Sequence, residues 1–223
     1  FTSNQSYYNG AAVHLYDHST WADTGSVFQS NTNLTGSSGG AVYSYYYTQV
    51  ALDGTSFNDS YAGYHGGAVY IESPYYSNSM TDVSFSGNAS YYSGGGLFLT
   101  NSHSLTLDGC SFEDNTSTYG NGGGLYWSYY NRSQSVDIAS SYFEGNTAYY
   151  NGGAVYSEYP YELSVTESLF YRNTANVHGG GYHGGAIYNY YPYYTDVNNN
   201  VFHDNSAYYG GAIYDYHSYY EGS

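Results

Sequence analysis

The chain has 223 residues, among them 37 tyrosines, 29 glycines and 18 acids against only two basic residues, Arg132 and Arg172, for a formal net charge of -16. Phosphate recognition rests on Lys and Arg, so this balance argues against nucleic acid or an anionic membrane as partner and favours metal cations or cationic surfaces. The single Cys110 leaves no intrachain disulfide, no apolar run reaches the ~20 residues of a membrane helix, and so aromatic a chain is unlike the sequences that stay unfolded.

From its first residue the chain reads as a tandem repeat. Phe-x-x-Asn occurs at Phe1/Asn4, Phe28/Asn31, Phe85/Asn88, Phe112/Asn115, Phe143/Asn146, Phe170/Asn173 and Phe202/Asn205, and Phe57 has Ser60 in the Asn place. Spacings run from 27 (Phe1 to Phe28) to 32 (Phe170 to Phe202). About ten residues after each Phe comes a glycine element, worn in the first copy to Gly10-Ala11-Ala12-Val13. It then reads Gly39 to Tyr43, Gly66 to Tyr70, Gly94 to Phe98, Gly122 to Tyr126, Gly152 to Tyr156, Gly184 to Tyr188 and Gly210 to Tyr214. Ahead of four internal Phe residues stand alternating apolar pairs: Val50 and Leu52, Leu105 and Leu107, Val136 and Ile138, Leu163 and Val165. Alternation of period two is a strand signal, and no segment keeps a helical period.

These elements predict an all-β fold, a right-handed parallel β-helix of about eight coils of 27–32 residues, forming one domain over 1–223. Three short strands per coil are expected, each coil ~4.8 Å above the last. Phe, the Val/Leu/Ile pairs and the Ala-Val of the glycine element are expected to point inward. The Asn column, including Asn4, Asn88 and Asn115, is expected to form a buried amide ladder at a corner where Asn takes the left-handed conformation. Cys110, two before Phe112, is expected inside as a small core residue.

The paired Phe-x-x-Asn and Gly-Gly-Ala-[Ile/Val/Leu] signature resembles the repeat of the polymorphic outer-membrane protein family, in about seven registered copies over essentially the whole chain. The resemblance implies a right-handed, pectate-lyase-like β-helix, surface display and adhesion. The tyrosine enrichment departs from that family's pattern.

No catalytic residue is predicted. Polysaccharide lyases of this architecture use a Lys or Arg base with acidic calcium ligands, and hydrolases a clustered acid pair. Here the acids recur at equivalent repeat positions: Asp53 and Asp108 four before Phe, and Asp59, Asp114 and Asp204 two after. Such recurrence suits solvated corners. No cofactor is expected; calcium on the acidic columns lacks a dense Asp-x-Asp-x-Asp loop. His178 and His183 flank a glycine insertion and read as a polar loop rather than a metal site. Sequons at Asn33, Asn58 and Asn131 lie off the Asn ladder and are the glycosylation candidates. Tyrosine pairs such as Tyr91-Tyr92 must send one ring outward on a strand, giving outer ladders that stiffen the rod, bind sugar or pack against another rod.

Solenoids ordinarily carry polar caps, and neither end of this sequence reads as one. Phe1 and Asn4 at one end and Tyr214, Tyr216, Tyr219 and Tyr220 at the other are therefore the expected assembly residues. The functional expectation is an extracellular or cell-surface structural protein, a subunit of a head-to-tail filament with itself as partner and carbohydrate as a second. The alternatives are an adhesin passenger and a polysaccharide lyase or hydrolase.

Overall fold

The computed structural model describes residues 1–72, 75–129, 133–175 and 182–216. Its 29 strands form four parallel sheets, in seven complete turns of four strands with one further strand, Ile213–Tyr216. No helix among the described residues is long and apolar enough to cross a membrane.

The second turn serves as a template. Thr32–Asn33 lies on what we call the Asn face, Val42–Tyr45 on the glycine face, Gln49–Asp53 on the alternating face and Ser56–Asn58 on the Phe face. Each turn therefore has four strands, where the sequence pattern suggests three. The Asn-face strands are two residues long, too short for alternation to register.

Coil stacking places equivalent residues side by side. Phe28 pairs with Phe57, Phe57 with Phe85, and so on to Phe170 with Phe202. The expected inward columns are inside: Val42, Val69, Leu97, Leu125, Val155 and Ile187 are fully buried, as are Val50, Leu105, Val136 and Leu163. The Phe rings stack nearly parallel with centroids 4.5 to 5.1 Å apart, from Phe1–Phe28 to Phe170–Phe202. Each such contact adds ~0.5–1.5 kcal/mol beyond the area buried. Cys110 is inside as expected, its Sγ donating to the Met80 carbonyl at 3.3 Å; burial pushes its thiol pKa up to about 11.

One inward column is mixed. Ser44, Ile71, Leu99, Trp127, Ser157 and Asn189 follow one another at the second inward position of the glycine face. Ser44 shares a 2.6 Å hydrogen bond with Thr48, whereas Trp127 Nε1, Ser157 Oγ and Asn189 Oδ1 are buried without one.

The amide ladder forms. Asn88 Nδ2 donates to Asn115 Oδ1 at 3.0 Å and to the Phe57 carbonyl at 2.9 Å, and the pattern repeats through Asn115, Asn146 and Asn173. The same oxygens accept the backbone N–H of the preceding rung, so the buried amides are satisfied as burial demands. Asn88 and Asn115 are fully buried, and Asn4, in the first described coil, is partly buried. The left-handed residue is not the Asn. It is the residue before it: Ser3, Ser30, Asp59, Gly87, Asp114, Gly145, Arg172 and Asp204. The Asn itself must keep its amide plane stacked on the next rung, and the turn is made one position earlier.

The corner between the Asn face and the glycine face is the tightest. Its left-handed residue is glycine in every turn, from Gly10 to Gly210. Backbone φ alone does not require this, since other corners place Asp82, Ser140 and Glu167 in the same region. Space does. A Cβ on Gly122 would press on the Leu125 carbonyl, 2.8 Å from its carbon, whereas one on Gly54 would meet nothing within 4 Å.

Candidate functional site

With the Phe and Val/Leu/Ile columns spent on the core, the tyrosines dominate the outside. On the glycine face, inward Val alternates with an outward aromatic. Tyr43, Tyr70, Phe98, Tyr126, Tyr156, Tyr188 and Tyr214 stack in sequence with centroids 4.5 to 5.7 Å apart and planes within 11° of parallel. His14 continues the column edge-on to Tyr43 at 5.0 Å. The sequence predicts such ladders without fixing which tyrosines join; strand register fixes it.

Tyr70, Phe98, Tyr156 and Tyr188 of this column are buried, and the column is acid-flanked. Tyr70 OH donates to Glu72 at 2.8 Å and Tyr126 OH to Glu158 at 2.6 Å. Burial, with the Glu72 carboxylate second, pushes the Tyr43 phenol pKa up to about 12, and burial likewise lifts Tyr70, Tyr156 and Tyr188 further. These phenols therefore stay protonated throughout ordinary pH.

Two histidines join the aromatic surface without having been singled out for it. His65 lies 4.3 Å from Phe98, nearly parallel, and 4.3 Å from Tyr64, edge-on, and its Nδ1 accepts the Ser93 N–H. His183 packs 4.3 Å from Tyr214 and 5.2 Å from Tyr209. Both stand immediately before the first glycine of a glycine element, Gly66 and Gly184, the signal that marks them. His178 lies outside the described residues.

The expected assembly residues sit at opposite ends of the rod. Phe1 stacks one face on Phe28 and is 55% exposed. Asn4 donates to Asn31 at 2.8 Å. Tyr214 stacks on Tyr188 at 5.7 Å and Tyr216 on Tyr190 at 5.4 Å; Tyr219 and Tyr220 lie outside the described residues. Of the sequon asparagines, Asn58 is half-buried on a Phe-face strand, and Asn131 lies outside the described residues. Asn33 overturns its expectation. It is 1% exposed, because it occupies the inward position of its two-residue strand, in the column of Ala62 and Ser90. Its Oδ1 accepts the Gly63 N–H at 2.7 Å, so no glycan fits there in the folded rod.

The acids are dispersed. Asp53, Asp59, Asp108, Asp114 and Asp204 are exposed, and among the described residues no three of His, Cys, Asp and Glu come together as a metal-holding group. A shallow groove on the first alternating-face strands is lined by Asp23, Leu52, Asp53, Ser79 and Thr81. There Asp23 already accepts the hydroxyls of Ser26 at 2.7 Å and Thr55 at 2.6 Å.

Four parallel sheets wound by one repeated coil define a β-solenoid. The model of the right-handed beta helix region matches residues 1–189, and the chain belongs to that family. No curated protein and no solved structure matches the chain.

Proposed function

We propose that the chain is a structural, self-assembling solenoid working outside the cell or on its surface, the subunit of a head-to-tail filament. The observation that carries this is the coil-to-coil periodicity of its ladders. The Phe stack, the amide ladder and the outer aromatic column pass through the rod in one register. The surface one coil offers its neighbour is thus the surface a second subunit could occupy. Strands at a sheet edge readily recruit others, and a heterologous contact that does not close gives an open fibre. The resemblance to the outer-membrane protein repeat supports surface display as the setting.

The adhesin reading has less support. Sugar rings stack on open aromatic faces. Within the outer column each inner ring spends both faces on its neighbours, and Phe98, Tyr156 and Tyr188 are themselves buried, so no open face is offered to a sugar. Sedimentation velocity and electron microscopy of the purified 223-residue chain test the proposal. Concentration-dependent fibres one rod wide or more are expected; a monomer that persists at high concentration overturns it.

A further inference from the structure

The charges are not spread around the coil. Every turn contains a segment from its ladder position to the last small residue of its glycine element: 4–12, 31–41, 60–68, 88–96, 115–124, 146–154, 173–186 and 205–212. None of the 18 acids and neither arginine falls in any of these eight segments. Coil stacking aligns the described residues of these segments into one strip along the rod, comprising the Asn face and the glycine corner; residues 176–181 are left out of it. Among the described residues, all the formal side-chain charge at neutral pH lies on the rest of the surface.

The strip is also the most apolar part of that surface. Eleven of the twenty-two exposed large apolar side chains among the described residues belong to it, Tyr8, Tyr92, Tyr119, Tyr150 and Tyr208 among them. Its rings touch from coil to coil, Tyr64–Tyr92 at 4.9 Å, Tyr91–Tyr119 at 5.0 Å and Tyr119–Tyr149 at 5.5 Å, with interplanar angles of 46° to 73°. Tilted rings leave ridges and notches at the coil spacing rather than a smooth stacked wall.

We propose that this strip is a lateral interface on which a second copy of the chain docks, side by side. A rod of charge -16 can approach its own copy without opposing carboxylates only along the uncharged strip. Ridges repeating at ~4.8 Å meet identical ridges in a partner, the self-complementarity that a two-fold, isologous contact needs. Tyrosine-rich, charge-depleted composition is that of interface cores. This contact is separate from end-to-end growth: it changes mass per unit length, not length.

Small-angle scattering and sedimentation of the wild-type chain read the cross-section directly. Mass per length about twice that of a single rod is expected for the two-fold pair. Pairing should strengthen as salt rises from about 10 mM to about 150 mM, because the Debye length falls from about 30 Å to about 8 Å and the charged flanks stop repelling. Y92E combined with Y150E should return the cross-section to that of one rod. Y76E combined with Y193E, equally exposed rings outside the strip, should leave it paired. Oxidative footprinting of the wild type gives a readout independent of variant folding: Tyr92 and Tyr150 should be protected on pairing and Tyr76 not. A single-rod cross-section at every concentration and salt overturns the proposal. So does unchanged pairing in Y92E/Y150E, loss of pairing in the Y76E/Y193E control, or protection at Tyr76 instead. Fibres that lengthen with a single-rod cross-section would sink the lateral contact while leaving the filament intact.

Discussion

Two edges of the rod are built from tyrosine, and they are built differently. The first edge, between the Asn face and the glycine face, turns on glycine in every coil, with φ between +60° and +68°. Its rings meet tilted or edge-on, as in Tyr64–Tyr92 and Tyr91–Tyr119. The second edge, between the glycine face and the alternating face, turns on side chains held in the left-handed region, including Tyr46, Tyr47, Tyr159 and Tyr191. There several rings of different coils stack flat, His18–Tyr47 at 4.7 Å, Tyr47–Tyr75 at 4.2 Å and Tyr161–Tyr193 at 5.3 Å, all within 10° of parallel, beside edge-on contacts such as Tyr159–Tyr190. Acids flank it, with Glu72, Glu158 and Glu162 close in sequence. One residue type thus does two jobs. Where the backbone corner is too tight for a side chain, the tyrosines are displaced a few residues away and present their edges. Where the corner is roomy, tyrosine occupies the turn itself and stacks along the rod.

The largest effect should appear on filling a glycine at the first edge, compared with one at the roomy corner between the alternating and Phe faces. A Cβ on Gly123 would run into the Gly153 carbonyl and stand 2.6 Å from the Thr147 backbone in the next coil. All of these are backbone atoms, so no side chain can yield. Gly123→Ala should lower stability by more than about 3 kcal/mol, the exceptional end for single substitutions, by urea unfolding. Gly54→Ala, with open space at its corner, should cost only the left-handed penalty of about 1–2 kcal/mol. Equal losses at the two glycines would refute the packing difference.

Acid should discriminate next. His65 on the first edge is held among Tyr64, Tyr92 and Phe98, and burial brings its pKa down to about 4. The unfolded imidazole titrates near 6.5. Both states are neutral above that value. As pH falls from about 6.5 toward 4, the unfolded state takes up the proton first and stability is lost. The expected cost at pH 4 is about 3 kcal/mol. Because carboxylates titrate in the same range, the measurement is a difference between wild type and His65→Phe, each unfolded in urea at pH 7 and pH 4. Wild type should lose about 3 kcal/mol more than the variant; parallel losses would mean that His65 is hydrated in the fold.

Much of this is legible in the amino-acid sequence, and the reason is periodicity. A residue that repeats every 27 to 32 positions in a parallel solenoid must stack on itself, so the Phe core and the Asn ladder follow directly from Phe-x-x-Asn. What periodicity hides is phase within short strands. Asn33 looks like a surface sequon until its two-residue strand, with no alternation of its own to read, turns it inward beside Ala62. The left-handed residue falls one place before each Asn, because the amide must lie flat on its neighbour. The tyrosine doublets reveal that one ring of two faces out, but not whether it stacks or tilts; that depends on which corner each doublet borders. The charge-free strip was fully written in the sequence, and it becomes visible once the coil registers are superposed.

A gain of stability should come from the border of the first edge. Ser60 breaks the amide ladder: Asn31 Nδ2 donates only to the Phe1 carbonyl, at 3.1 Å, and the Ser60 N–H alone reaches Asn88 Oδ1. Every other coil accommodates Asn at this place. Ser60→Asn should restore an acceptor for Asn31 and a donor for Asn88, stabilising the rod by about 1 kcal/mol, measured as a raised urea midpoint. A lower midpoint would mean that the third coil is locally too narrow for the amide.

The smallest effect is expected at the second edge. Tyr159 sits at φ 55°, packed 5.7 Å from Tyr191 and 5.4 Å from Tyr190. Tyr159→Gly removes the left-handed penalty of about 1–2 kcal/mol. It also gives up ring contacts worth about 0.5–1.5 kcal/mol each and adds about 0.5–1 kcal/mol of glycine entropy. These terms nearly cancel, so the variant should unfold within about 1 kcal/mol of wild type. Glycine is thus obligatory at one tyrosine edge and nearly neutral at the other. Should Tyr159→Gly instead cost as much as Gly123→Ala, the second edge would be a packed seam like the first, and the division between a stiffening edge and a presenting edge would fail.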